Sequence, residues 1–512
     1  MFSRRLFLAS ASATLWLPAM SQTQSDKYHF TLGVASGCPR DTSVILWTRL
    51  APEPLKGGGM PDGICHVRYR VCRDDAMRQE VRSGLVRTSH MKAHSVHLRL
   101  EGLEPGREYF YQFYYGQDES PVGRTRTTDR SAPSAKLALA NCQAWETGHY
   151  AAYRDMADWS PDVVIHVGDY IYEGGAAKSM GPVTRDVAGY VFDFEIVRQH
   201  NSAEITSLFD YRNRYALYRT DPHLQAAHAA APWIVAMDDH EIDNNWAGMT
   251  PQDPEKQTGV EFALRRQAAL QAYYEHMPID LPPSLTGAGG ELQMYGAYRF
   301  GPAAVNLLDT RQYRSDQACG DGIIPVSQCA EASFPGRSMT GETQEAWLLD
   351  QLATSDARYN VLAQQTWFAP YNYSDTEAGV ARNMDQWDGY PVQRQRLIDA
   401  MAQDVANPIV LSGDWHTGGA LNIHANPDDP TSARVGHNFA ATSVSSICPW
   451  YGRMDQARDA NPHLKYLNGE IRGYLRFTAD QRDWTSTFRH VQNPADPASS
   501  VLTDAEFKLQ DM

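Results

Sequence analysis

Runs in which apolar and polar residues alternate, rich in β-branched and aromatic side chains, dominate residues 28–130. Segments 44–50, 66–72 and 95–100 have the character of strands with one face against a core. Between residues 103 and 113 the chain reads Leu-Glu-Pro-Gly-Arg-Glu-Tyr-Phe-Tyr-Gln-Phe. A Pro-Gly turn followed by a tyrosine that opens an alternating strand is the corner of immunoglobulin-like and fibronectin-like sandwiches. Residues 26–130 are therefore expected to form a small β-sandwich, with the polar stretch 125–135 as the linker that follows.

After residue 135 the pattern changes. Short, wholly apolar runs at 137–140, 163–167, 233–237, 360–363 and 408–412 read as buried strands, which need not alternate. Helical spacing appears at 208–219, 261–277 and 342–352, the last with Trp347, Leu348 and Leu352 on one face. This alternation of elements predicts an α/β domain over residues 131–512.

Composition narrows the function. At 42% hydrophobic and 21% charged, the chain can bury large cores and is not a disordered or fibrous protein. A net charge of −15 argues against a nucleic-acid-binding module, since phosphate backbones are held by Lys and Arg. Phosphate chemistry stays open where metal ions supply the positive charge. Ser3-Arg4-Arg5-Leu6-Phe7-Leu8, followed by a small-residue apolar stretch to Met20, forms a basic region and a short hydrophobic region rather than a membrane span. The arginine pair resembles a twin-arginine export signal. Residues 1–25 are expected to be that signal, and the mature protein to be periplasmic or secreted with no transmembrane anchor.

The seven cysteines are an odd number. Cys319 and Cys329 flank a Gly/Asp/Pro loop and could close it. Cys65 and Cys72 lie at odd spacing in one strand and should not pair there. At least one thiol is left over, and Cys142 is the candidate.

The chemistry gathers at the ends of the buried strands. They run into Asn141-Cys142-Gln143, Gly168-Asp169-Tyr170-Ile171-Tyr172, Asp238-Asp239-His240-Glu241, Gln364-Gln365 and Gly413-Asp414-Trp415-His416. In α/β sheets this is where sites form. There is no G-x-S-x-G nucleophile elbow, no G-x-x-x-x-G-K-[ST] loop and no G-x-G-x-x-G turn. Carboxylates, an imidazole, a phenol and a thiol suggest metal ions. Hard oxygens suit Ca²⁺, Mg²⁺ or Mn²⁺, and thiolate with phenolate suits Fe³⁺.

Gly168-Asp169-x-x-Tyr172, Asp239-His240-Glu241 and Gly413-Asp414-x-His416 resemble the calcineurin-like metallophosphoesterase signature in the variant of the PhoD-type alkaline phosphatases. Leu308-Asp309-Thr310-Arg311-Gln312-Tyr313, Trp387-Asp388-Gly389-Tyr390-Pro391 and Gly33-Val34-Ala35-Ser36-Gly37 extend the resemblance over roughly residues 28–490. It implies a two-sheet metallophosphoesterase sandwich flanked by helices, with Ca²⁺ and Fe³⁺ as cofactors. By the same resemblance Asp169 bridges the metals, and Cys142, Tyr172 and His416 bind iron. Asp239 and Asp414 supply hard oxygen for Ca²⁺, and Gln365 could add its carbonyl. His240 is placed to stabilise the transition state or protonate the leaving oxygen. Arg311 could hold a phosphate oxygen or form a structural Arg–Asp pair, and His166 belongs to the core.

The expected function is a monomeric, exported phosphoesterase that hydrolyses phosphate mono- and diesters with metal-activated water and scavenges phosphate. Its expected partners are those esters and the twin-arginine export machinery. The alternatives are a selective phosphodiesterase acting on phospholipids or wall polymers, and a non-catalytic surface-binding protein with structural metals.

Overall fold

The computed structural model describes residues 27–187, 189–374 and 379–512. The export signal predicted for residues 1–25 lies outside them. Among the described residues, two large sheets form the body of the molecule. The first has nine strands in the spatial order Val501–Lys508, Trp484–Val491, Arg472–Asp480, Ser134–Ala140, Val163–His166, Pro232–Val235, Val34–Gly37, Ser43–Arg49, Ser95–Glu101. The second has seven, in the order Gly296–Phe300, Ala303–Leu307, Tyr359–Ala363, Pro408–Ser412, Arg434–Ala440, Gly418–His424, Leu464–Asn468. The central strands of both sheets are parallel.

The sheets pack face to face through Leu137, Leu139, Ile165 and Ile234 from one and Val305, Val361, Ile409 and Leu411 from the other. The residues between, Ala138, Ala140, Val164 and Trp233, face a second core formed with Tyr153, Met156, Tyr215, Leu224 and Leu270 of flanking helices. Both faces of these strands are buried, which is why their sequences do not alternate. Helices Gly341–Ala353 and Pro391–Met401 cover the far face of the second sheet through Leu348, Leu352, Leu397 and Ile398.

The predicted helices stand close to their expected bounds, at Leu208–Arg219, Gly259–His276 and Gly341–Ala353. Capping boxes begin the first two. Ser207 and Thr258 accept from the backbone N–H of Asp210 and Glu261, whose carboxylates bond back to the N-cap backbone.

The N-terminal sandwich is present, and Tyr109 forms the expected corner by accepting from the backbone N–H of Glu104 at 2.9 Å. One of its layers contains Ile64–Cys72, Glu80–Ser89 and Glu108–Tyr115. The other is the edge of the nine-stranded sheet itself. Val34–Gly37 pairs in parallel with Pro232–Val235, and Val44, Leu46 and Val96 pack against Val67, Val71 and Phe113. The sandwich thus shares a sheet with the domain that follows. A four-residue strand whose partner lies far along the chain carries no register signal in its own sequence.

Cys319 and Cys329 form a disulfide. Cys38, Cys65, Cys72, Cys142 and Cys448 are free thiols. Among the described residues no helix is long and apolar enough to cross a membrane.

Candidate metal centre

Strands from both sheets end at one edge, and the turns that follow carry the functional groups. Several of these residues have left-handed backbones: Cys142 at φ 53°, Asp169 at 55°, Asp414 at 60° and His416 at 49°. Such conformations are unfavourable for residues with a Cβ and persist where surrounding bonds impose them. Here the turns are tied to one another. Cys142 N–H donates to Gly168 O at 3.1 Å, Gln143 N–H to Asp169 O at 3.0 Å, and Gly413 N–H to Gln365 O at 2.6 Å. The buried carboxylate of Glu241 accepts from the backbone N–H groups of Asp169, Tyr170 and Asp238 at 3.0, 2.5 and 2.8 Å.

Gly168 makes this crowding possible. Its φ is +106°, and a Cβ there would sit 2.3 Å from Asp238 Cβ and 2.4 Å from Asp238 N. Gly168→Ala is expected to cost about 3 kcal/mol from overpacking and backbone strain together. Denaturant unfolding should show the loss, and an unchanged midpoint would refute the crowding argument.

The side chains form two donor sets that share one residue. Ligand atoms of Cys142, Asp169 and His416 lie within 4.8 Å of one another, as do those of Asp169, Asp238, Asp239 and Asp414. Asp169 also groups with Asp239 and His240. Tyr172 joins the first set. Its hydroxyl donates to Asp169 Oδ2 at 2.9 Å, lies 3.2 Å from His416 Nε2, and accepts from Ser446 Oγ at 2.7 Å. His416 Nδ1 donates to Ile447 O at 2.5 Å, which leaves Nε2 as a lone-pair donor toward the centre. Burial lowers its pKa to about 3, so the ring is neutral.

Electrostatics in this cluster call for positive charge. Burial pushes Asp169, Asp238 and Asp414 well above the carboxylate range, and neighbouring carboxylates add to it. For Asp239, burial is outweighed by Arg311 and His240, which hold it below. Burial raises the Cys142 thiol and the Tyr172 phenol as well. Asp238 Oδ2 and Asp239 Oδ1 are buried without hydrogen-bond partners. Orphaned carboxylate oxygens beside like charges fit a hard cation, and the neighbouring thiol, phenol and imidazole fit a more polarisable one.

His240 lies beside both sets. Its Nδ1 is 2.7 Å from Glu173 Oε2, and its ring centroid is 4.2 Å from that of Tyr172. Burial alone would lower its pKa, but the carboxylates of Glu173, Asp239 and Asp169 push it well above the histidine range.

Arg311 and Gln365 both have their polar ends engaged by other residues of the chain. Arg311 is fully buried beneath the carboxylates. It donates to Asp238 at 2.5 Å and to both oxygens of Asp385 at 2.9 and 3.0 Å, and its Nη2 lies 3.8 Å from Asp239 and 3.9 Å from Asp414. The Arg–Asp reading is the one its geometry realises. Gln365 has both ends engaged, its carbonyl accepting from Thr310 N–H and Oγ1–H and its amide donating to Leu308 O. It braces the neighbouring turn instead of facing the cluster. His166 is in the core, stacked on Trp233.

Sequence reasoning gave no role to Asp238, Glu173, Gln386 or Ser446. Asp238 and Glu173 lie inside the motifs and had that signal. Gln386 donates to Asp414 Oδ2, and Ser446 reaches Tyr172 from the segment after Arg434–Ala440, a strand the sequence pattern did not reveal.

This fold and this constellation define a class, the metal-dependent phosphoester hydrolases. Residues 137–488 match the PhoD-like phosphatase model, and residues 15–129 match the PhoD-like phosphatase N-terminal domain. The chain belongs to the PhoD-like phosphatase family. Alkaline phosphatase D of Bacillus subtilis (strain 168) is 44% identical over 492 residues, which span 94% of this chain and 81% of that protein. A solved structure of PhoD matches with a TM-score of 0.86 at 42% identity, covering 94% of this chain and 90% of the other.

Proposed function

We propose that this phosphoesterase hydrolyses phosphate mono- and diesters outside the cytoplasm as a phosphate scavenger, with Fe³⁺ held by Cys142, Asp169, Tyr172 and His416 and Ca²⁺ by Asp169, Asp239 and Asp414. The observation that carries this reading is the adjacency of a thiol–phenol–imidazole set and a carboxylate set that share Asp169. Asp238 extends the carboxylate set with its orphaned oxygen. When bound, the cations supply Lewis acidity to the phosphoryl oxygens and lower the pKa of water. The chain supplies the rest. Glu173 fixes His240 through Nδ1, so Nε2 is the atom turned to the substrate, where it delivers a proton to the leaving oxygen. Arg311 keeps the carboxylates in register from below. The arginine pair at Arg4 and Arg5 supports export in the folded state, which suits a centre loaded before transport.

Enzyme exported by its native host should release nitrophenol from nitrophenyl phosphate and from bis(nitrophenyl) phosphate, and chelation should abolish both. It should contain iron and show a visible charge-transfer band that Tyr172→Phe shifts or removes. Full activity in colourless, iron-poor protein would reject the iron assignment and leave phosphoester hydrolysis standing. Turnover of the diester alone would favour the selective phosphodiesterase.

A further inference from the structure

Asp239 and Asp414 are each bonded by a residue, Asn245 and Gln386, that connects in turn to the loop closed by the Cys319–Cys329 disulfide. Asp239 Oδ2 accepts from the backbone N–H of Asn245 at 2.8 Å. Asn245 has a left-handed backbone at φ 50°, and its Nδ2 donates to Asp321 Oδ2 at 2.7 Å. Asp321 stands two residues past Cys319, and its other oxygen accepts from Gly322 N–H at 2.5 Å. Gln317, just before the disulfide, donates to Asn245 O and to Asp385 Oδ1, each at 2.7 Å.

The same loop reaches the second carboxylate by another route. Ile323–Pro325 pairs antiparallel with Ala381–Asn383, and Gly322 O accepts from Met384 N–H at 2.9 Å. That strand leads into Asp385, which pairs with Arg311, and into Gln386, which donates to Asp414. Tyr172 and His416 are braced from a different segment, by Ser446 and Ile447.

We propose that the disulfide-closed loop 319–329 is a positioning element for the carboxylate half of the centre, acting through Asp321 and Asn245 to set its affinity for the hard cation. The proposal rests on the metal reading given above. Outer hydrogen bonds of this kind orient ligands and commonly change metal affinity about 10- to 100-fold. A disulfide restricts the conformations of the loop it closes, so Asp321 is held in place before the cation arrives. Asn245 adopts a left-handed turn that asparagine tolerates well, and its bond to Asp321 fixes the direction of the side chain.

The test is Ca²⁺ titration of iron-loaded holoenzyme by calorimetry, with iron measured by elemental analysis. Asp321→Ala should bind Ca²⁺ about 10- to 100-fold more weakly with iron content unchanged. Asp321→Asn, whose carbonyl still accepts from Asn245, should restore the affinity. The double variant Cys319→Ser/Cys329→Ser should weaken Ca²⁺ in the same direction. Wild-type Ca²⁺ affinity in Asp321→Ala would overturn the proposal. So would joint loss of iron and Ca²⁺ without rescue by Asp321→Asn, since that marks a general structural role. Wild-type enzyme that binds iron but no Ca²⁺ would overturn the assignment of the carboxylate half itself, and the proposal with it.

Discussion

Asp169→Ala should lose metal and activity together, with kcat/KM falling by at least ~10³-fold, the scale of losing a main source of electrostatic stabilisation. Asp169 belongs to all three donor groups, and no neighbour can replace an oxygen offered to both sets at once. The same substitution should behave differently toward stability in chelator. Burial and neighbouring carboxylates penalise the charged form of Asp169, so folding without metal must protonate it or bury its charge, a cost that its removal lifts. The metal-free variant should resist denaturant at least as well as metal-free wild type. Elemental analysis, steady-state kinetics and unfolding in chelator measure the three quantities. Retained metal would remove Asp169 from the bridging role, and a marked loss of metal-free stability would make it a structural carboxylate.

His240→Ala should lower kcat by ~10²- to 10⁴-fold, the usual contribution of a positioned acid or base, while metal content stays near that of wild type. The size of the loss should depend on the leaving group. A nitrophenolate departs without a proton, whereas an alkoxide needs one, so alkyl phosphates should suffer more than nitrophenyl phosphate. Glu173→Gln should reproduce part of this dependence, because Glu173 fixes the ring through Nδ1. Loss of metal in His240→Ala would make the residue a ligand. An equal loss on both leaving groups would leave it stabilising charge without transferring a proton.

The clustering of Asp169, Asp239, Asp414 and His416 was legible because each follows a short apolar run, and parallel strands deliver their C-terminal residues to one edge. Cys142 and Tyr172 needed the family resemblance, since a thiol at a strand end and a tyrosine near one are ordinary core residues by themselves. Arg311 was visible but ambiguous. Only the tertiary position of Asp385, far along the chain, shows that its guanidinium is already engaged. The hairpin formed by Gly181–Val187 and Tyr190–Ile196 was missed, although on its second strand Tyr190, Phe192 and Phe194 alternate with exposed residues and stack along one face. Ser446 and Asn245 were illegible because their roles lie in backbone turns and long-range hydrogen bonds, which leave no periodic trace.

The edge shared by the N-terminal strands has a consequence for engineering. Two family models divide this chain near residue 130, yet Val34–Gly37 is hydrogen-bonded to Pro232–Val235. The segments are modular as sequence and continuous as a sheet. A chimera that grafts the N-terminal segment of one relative onto the body of another must therefore match a strand register as well as a packing surface. Grafts should fold best when the donor's first strand fits beside Pro232–Val235.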